Sequence, residues 1–188
     1  MRGESRDVFA TPEGNLEARE YLRPVRARVK GAWQFVDTDL ARSAHGGVAP
    51  RVATVELAFC GGGDTPLVRM RKAGRELALL WPQKLPAPVL EGPRATCREV
   101  LPDVDLRMEA QEDGFTQLLV VKSAEAAANE KLSELLLKLA ADGLDVRETL
   151  GGSLEAVDKG APRRSQRRPD LRAGQGWADI PTEVPAGN

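Results

Sequence analysis

Aromatic residues make up only 4% of this 188-residue chain, and its tryptophans, Trp33, Trp81 and Trp177, are widely separated. Sugar-binding and single-stranded nucleic-acid sites stack their ligands on aromatic faces, so this scarcity weighs against both classes. Histidine is scarcer still. His45, in Arg42-Ser43-Ala44-His45-Gly46-Gly47, has no second histidine to share a metal or complete a proton relay, and its glycine-flanked position reads as a solvated loop. Cys60 and Cys97 are too few and too far apart for a zinc pattern; they could form one disulfide or remain two partly buried thiols. The longest apolar run, Leu77-Ala78-Leu79-Leu80-Trp81, is far too short to span a bilayer. The start, Met1-Arg2-Gly3-Glu4-Ser5-Arg6-Asp7, has no apolar stretch behind its charges, so the chain as written carries no secretory signal and is expected in the cytoplasm if expressed as is.

Charge is nearly balanced, 27 basic against 28 acidic residues, but unevenly spread. Lys159, Arg163, Arg164, Arg167, Arg168 and Arg172 follow Asp158 alongside only Asp170, Asp179 and Glu183, leaving the body at −4 and the tail at +3. A basic tail can hold polyanions by counterion release. An Arg-Pro-Gly-rich stretch with few apolar residues is also the composition of disorder, which is the expectation for 159–188. Nucleic acid is therefore an unfavoured partner. The length suits one domain plus a tail, divided as a flexible lead over 1–8, a folded module over 9–158, and the tail.

The body repeats a period-two alternation. Val25–Val29, Val55–Phe59, Leu67–Arg71, Glu76–Leu79, Val104–Ala110, Phe115–Lys122, Leu144–Leu150 and Leu154–Val157 read as half-buried strands. Gly61-Gly62-Gly63-Asp64, Lys72-Ala73-Gly74, Gln111-Glu112-Asp113-Gly114, Asp142-Gly143 and Gly151-Gly152 separate them as turns. Many short strands with turns between them predict a mostly β, antiparallel sandwich, with Trp33 and Trp81 at its core or core edge. Ser123 to Leu139 has helix-forming composition with Ser123 as a cap, yet Asn129 offers a stop, after which a strand could run into Asp142-Gly143 as its hairpin turn.

Three groups invite a chemical reading. Gly61-Gly62-Gly63-Asp64 superficially suggests a phosphate loop, but no Gly-Lys-Ser/Thr follows and Pro66 opens another strand, so a turn is the better account. Asp37 and Asp39, Glu99, and Asp103 and Asp105 are spaced so that close pairs share a strand face, which could suit calcium or glycosidase chemistry. Calcium wants more oxygen ligands in a compact loop, a glycosidase wants a cleft, and Asp103 after Pro102 reads as a turn former. No catalytic, cofactor-binding or metal-binding residue is assigned, and no cofactor is expected.

The ordered stretches Gly31–Leu40, Gly46–Pro50, Phe59–Arg69, Trp81–Pro88, Val100–Leu106 and Gly114–Ser123, with Ala126-Ala127-Ala128-Asn129, resemble the N-terminal module of very large secreted actinobacterial proteins. Those proteins carry laminin-G-like jelly-roll domains or rearrangement-hotspot repeats of the polymorphic-toxin type downstream. The resemblance spans about Phe9 to Asp158 and departs from the pattern at Cys60, Cys97 and Arg98. It implies a β-sandwich with one helical turn at Ala124–Asn129 and a strand over Leu132–Leu139. It also implies a non-enzymatic structural or interaction role at the cell surface or in toxin delivery, in a chain truncated before Pro162. Two alternatives stay open: a carbohydrate-binding or glycoside-hydrolase-associated sandwich module, and polyanion binding through the tail. Partners would be an unknown protein or cell-surface component. Weak self-association is expected through a sheet edge left bare near Leu144–Leu150 and Leu154–Val157.

Overall fold

The computed structural model describes residues 2–44, 46–149 and 151–160. His45, Leu150, Trp177 and the tail from Ala161, with the disorder and polyanion binding expected of it, lie outside the described residues.

The fold is mostly β and antiparallel throughout, as the alternation predicts. Two hairpins come first: β1 (Arg6–Ala10) with β2 (Leu16–Glu20), and β3 (Arg26–Val29) with β4 (Ala32–Phe35). There follow β5 (Asp37–Arg42), β6 (Val48–Val52), β7 (Glu56–Phe59), β8 (Val68–Lys72) and β9 (Arg75–Leu80). Next come β10 (Val89–Glu91), β11 (Arg94–Leu101), β12 (Val104–Ala110) and β13 (Phe115–Val121). Two single-turn helices, α1 (Ala124–Ala127) and α2 (Glu130–Ser133), lead to β14 (Lys138–Asp142) and a final hairpin of β15 (Leu144–Glu148) and β16 (Leu154–Asp158).

A six-stranded sheet runs β14-β9-β8-β7-β6-β5 and a four-stranded sheet runs β10-β11-β12-β13. They share one core, to which the first contributes Leu40, Val48, Leu57, Phe59 and Val68 and the second Ala95, Cys97, Leu106, Met108 and Ala110. Along β12 burial alternates strictly, with Val104, Leu106, Met108 and Ala110 inward, as a strand with one face on a core requires. Phe59 meets Phe115 edge-to-face across this core at 6.2 Å between ring centroids.

Turn chemistry sets several connections. Ala73 and Gly74 both have positive φ, as do Lys30 and Gly31, which suits the tight turns joining β8 to β9 and β3 to β4. Gly61 leaves β7 where a Cβ would stand 1.7 Å from the Gly46 carbonyl oxygen, so only glycine lets these two loops touch. The Cys60 N–H then donates to the Leu67 carbonyl at 2.9 Å, closing the connection from β7 to β8.

Several expectations are corrected. The lead over 1–8, expected to be flexible, supplies β1 from Arg6 and a buried Asp7. In place of one helical turn over Ala124–Asn129 there are two, because Ser123 caps the first at the Ala126 N–H and Asn129 caps the second at the Lys131 N–H. Leu132 and Ser133 thus belong to α2, and the strand expected over Leu132–Leu139 begins at Lys138. Asp142-Gly143 is not a hairpin turn, since β14 pairs with β9 and the chain leaves the sheet there for the separate β15–β16 hairpin. Trp33 is not in the core: it sits on β4, 37% exposed, with the Arg28 guanidinium 5.4 Å from its ring centre.

Candidate functional site

The carboxylates singled out from spacing fall into two places. Asp37 and Asp39 do not share a regular strand face, because the β5–β6 register shifts between Asp37 and Leu40 and the Asp39 N–H donates to Asp37 Oδ1 at 3.1 Å. Asp37 also pairs with Arg51 at 3.6 Å.

Glu99, Asp103 and Asp105 do converge, at the end of the four-stranded sheet where β11 turns into β12. The register shifts between Cys97 and Leu101, and Glu99 and Asp103 both take left-handed backbone, with φ of 54° and 56°. Lys122, from the end of β13, reaches across to Glu99 Oε1 and to Asp105 Oδ1, the latter at 2.9 Å. Backbone donors complete the clasp: Glu99 N–H to Asp105 Oδ1 at 2.9 Å and Asp103 N–H to Glu99 Oε2 at 3.1 Å. The Ser123 hydroxyl donates to Asp103 Oδ2 at 3.0 Å while accepting from the α1 backbone, so the clasp also anchors the helix start.

The electrostatics follow from these contacts. Lys122, and then the Asp103 N–H, hold the Glu99 carboxyl below its ordinary range. The Glu99 N–H, and then Lys122, do the same for Asp105. Lys122 is raised in turn by Glu99 and Asp105. Both carboxylates are held ionised by these contacts, an arrangement that braces a bulged turn and is unsuited to donating a proton near neutral pH.

Cys60 and Cys97 are free and buried in the shared core. The Cys60 sulfur accepts the Gly62 N–H at 3.2 Å and lies 3.0 Å from the Thr65 hydroxyl. Burial, with a smaller contribution from Cys60, pushes the Cys97 thiol up to about 11, which leaves it protonated and a poor nucleophile or metal ligand. Among the described residues no group of three or more His, Cys, Asp and Glu side chains is placed to hold a metal ion.

A cleft of about 450 Å³ lies over β6–β8 on the outward face, where Ser43, Thr65, Glu56, Arg69 and Arg71 surround Ala49 and Ala58. Its arginines are engaged: Arg69 pairs with Glu76 at 3.2 Å and Arg71 with Glu76 at 2.5 Å.

Sequence reasoning missed one pair altogether. Asp7 and Arg26, 2% and 7% exposed, form a two-pronged ion pair at 2.7 and 3.0 Å. Tyr21 donates to the same carboxylate at 3.2 Å, and the Arg26 guanidinium lies 4.9 Å from the Phe35 ring centre. The alternation in Val25–Val29 predicts a half-buried strand with its arginines outward, whereas Arg26 is buried. The only available signal was an aspartate inside the apolar-flanked run Arg6–Ala10.

Fold and site together define an antiparallel β-sandwich protein with a braced carboxylate–lysine node. Compared with known proteins, the chain matches no family model, no curated protein and no solved structure. Among the described residues no helix is long and apolar enough to cross a membrane.

Proposed function

We propose that this protein is a non-enzymatic β-sandwich module serving as a structural or interaction unit of an exported cell-surface or toxin-delivery protein. The observation that supports this reading best is the state of Glu99 and Asp105. A glycosidase needs one carboxyl raised so that it can protonate a leaving group. Here Lys122 and backbone donors push both the other way. Meanwhile Phe9, Leu16, Trp33, Phe35 and Leu154 expose apolar surface on the three hairpins, material suited to contact with another surface. The carbohydrate-binding alternative would use the β6–β8 cleft, where the one lining aromatic ring among the described residues, Phe59, is 2% exposed and offers no stacking platform.

Two measurements test the reading. Purified protein is expected to leave polysaccharide substrates unhydrolysed, and Glu99→Gln and Asp105→Asn are expected to change stability alone. Hydrolysis that disappears in either variant, with folding retained, overturns it. Fused behind an export signal, the chain is expected to reach the cell surface folded and accessible to added protease; retention inside the cell as aggregate contradicts the export part.

A further inference from the structure

We propose that β13 is a homotypic docking edge through which two copies of this chain pair antiparallel, joining their four-stranded sheets into one continuous sheet. The strand is the last in its sheet, and its main contacts among the described elements are with β12 and the short α1 that continues the chain. Its backbone polarity can be read from the ends of the β12–β13 ladder. The Lys122 N–H donates to the Asp103 carbonyl and the Gln111 N–H to the Gly114 carbonyl, so Thr116, Leu118 and Val120 point their backbone groups at β12. Phe115, Gln117, Leu119 and Val121 therefore turn theirs to the open side, where no partner meets them among the described residues.

The other edges of the two large sheets carry the features that discourage pairing. β5 bears Asp37, Asp39, Arg42 and an irregular register; β10 is only three residues long; β14 is bounded by Lys138 and Asp142. β13, Phe-Thr-Gln-Leu-Leu-Val-Val, has no charge at all. Leu118 is 50% exposed on its outer face and Val121 is 41% exposed on the face toward the core.

The occupant follows from self-complementarity. An antiparallel copy in register about Leu118 sets Gln117 against Leu119 and Phe115 against Val121, so every outward N–H and C=O of both strands finds a partner. Leu118 then faces its own copy across the two-fold axis, and Thr116 faces Val120, with no like charges opposed. A shift by one residue would pair outward groups with inward ones, so this register is selected by the backbone as well as by the side chains. The edge expected to associate, at β15 and β16, belongs instead to a small hairpin tied to the six-stranded sheet by the Arg75–Asp158 ion pair at 2.5 Å. The inference extends the interaction-module reading by naming one partner, and its test reads association in solution whether or not the chain is exported.

The experiment is sedimentation equilibrium of the full chain, wild type against Leu118→Lys, Leu154→Lys and an equimolar mixture of Leu118→Lys with Leu118→Glu. The wild type is expected to form dimers, Leu118→Lys to weaken them by about tenfold or more, and Leu154→Lys to leave them unchanged. Thermal melts of the monomers should coincide, since Leu118 is half exposed. The charge-swapped mixture should recover dimers, and Leu118→Cys should cross-link as a dimer under mild oxidation, because residues facing on such an axis bring their Cα atoms within disulfide range. A strictly monomeric wild type at high concentration overturns the proposal, as does a dimer insensitive to Leu118→Lys, or one that Leu154→Lys disrupts.

Discussion

The two large sheets and the N-terminal hairpins are held together by opposite means. In the sheets, Val48, Ala95, Cys97, Val104, Leu106 and Met108 have no exposed surface at all, and their stability comes from apolar burial. In β1–β4 the burial is slight, with β2 and β4 exposed along their whole length. Beside Ala27, what is buried there is a charge pair, Asp7 and Arg26, with Tyr21 and Phe35 against it. Backbone bonds from Val25 and Arg26 to the Glu4 carbonyl tie the two hairpins to each other. The chain itself through Val36 and the Arg23–Glu112 ion pair at 3.2 Å are among the links from these hairpins to the sheets. One chain therefore contains a region held mainly by apolar burial, with its ionised clasp at one turn, next to one built around a buried charge pair.

The largest expected effect breaks the apolar side of the comparison. Leu106→Ala should lower the unfolding free energy by ~2–5 kcal/mol, measured by urea denaturation, because a fully buried side chain leaves a cavity its neighbours only partly fill. Every strand of the two sheets should lose protection together.

An intermediate effect is expected from pH on the hairpins. Arg26 first, then Tyr21, hold the Asp7 carboxyl below its usual 3.8. A carboxyl depressed in the folded state contributes stability that is present above its unfolded value and lost as pH falls through its folded value. Acid should therefore loosen β1–β4 below about pH 4, before the sheets melt, read as loss of the Trp33 fluorescence signature ahead of far-ultraviolet circular dichroism change.

The smallest effect sharpens the contrast through two similar turns. Ala73 and Lys30 both occupy left-handed backbone ahead of a glycine. Asparagine tolerates that conformation, so each change to Asn should stabilise its turn by about 1 kcal/mol or less. Ala73→Asn should raise the global urea midpoint, whereas Lys30→Asn should only slow local opening of the β3–β4 hairpin in hydrogen exchange.

Legibility in the sequence divided along the same line. β12 is found at Val104–Ala110 as expected, because one face on a core forces strict alternation. β2, Leu-Glu-Ala-Arg-Glu, has no inward face and hence no pattern to read. β11 was missed because its bulge after Cys97 breaks the phase of the alternation midway. At the candidate site, spacing pairs Asp103 with Asp105 and leaves Glu99 apart; Glu99 joins them through the β11 bulge and Lys122 through the β12–β13 pairing, neither of which local pattern encodes. The Asp7–Arg26 pair was hidden for the same reason, since its members meet between two hairpins.

The division of the molecule is tested most directly by native-state hydrogen exchange on Asp7→Asn at neutral pH. This change keeps the side-chain shape and removes the charge that Arg26 requires. The account predicts that amides of β1–β4 lose protection strongly while those of β7, β8 and β12 keep theirs at the level of global unfolding. Uniform loss across both regions, or undiminished protection in β1–β4, would contradict it.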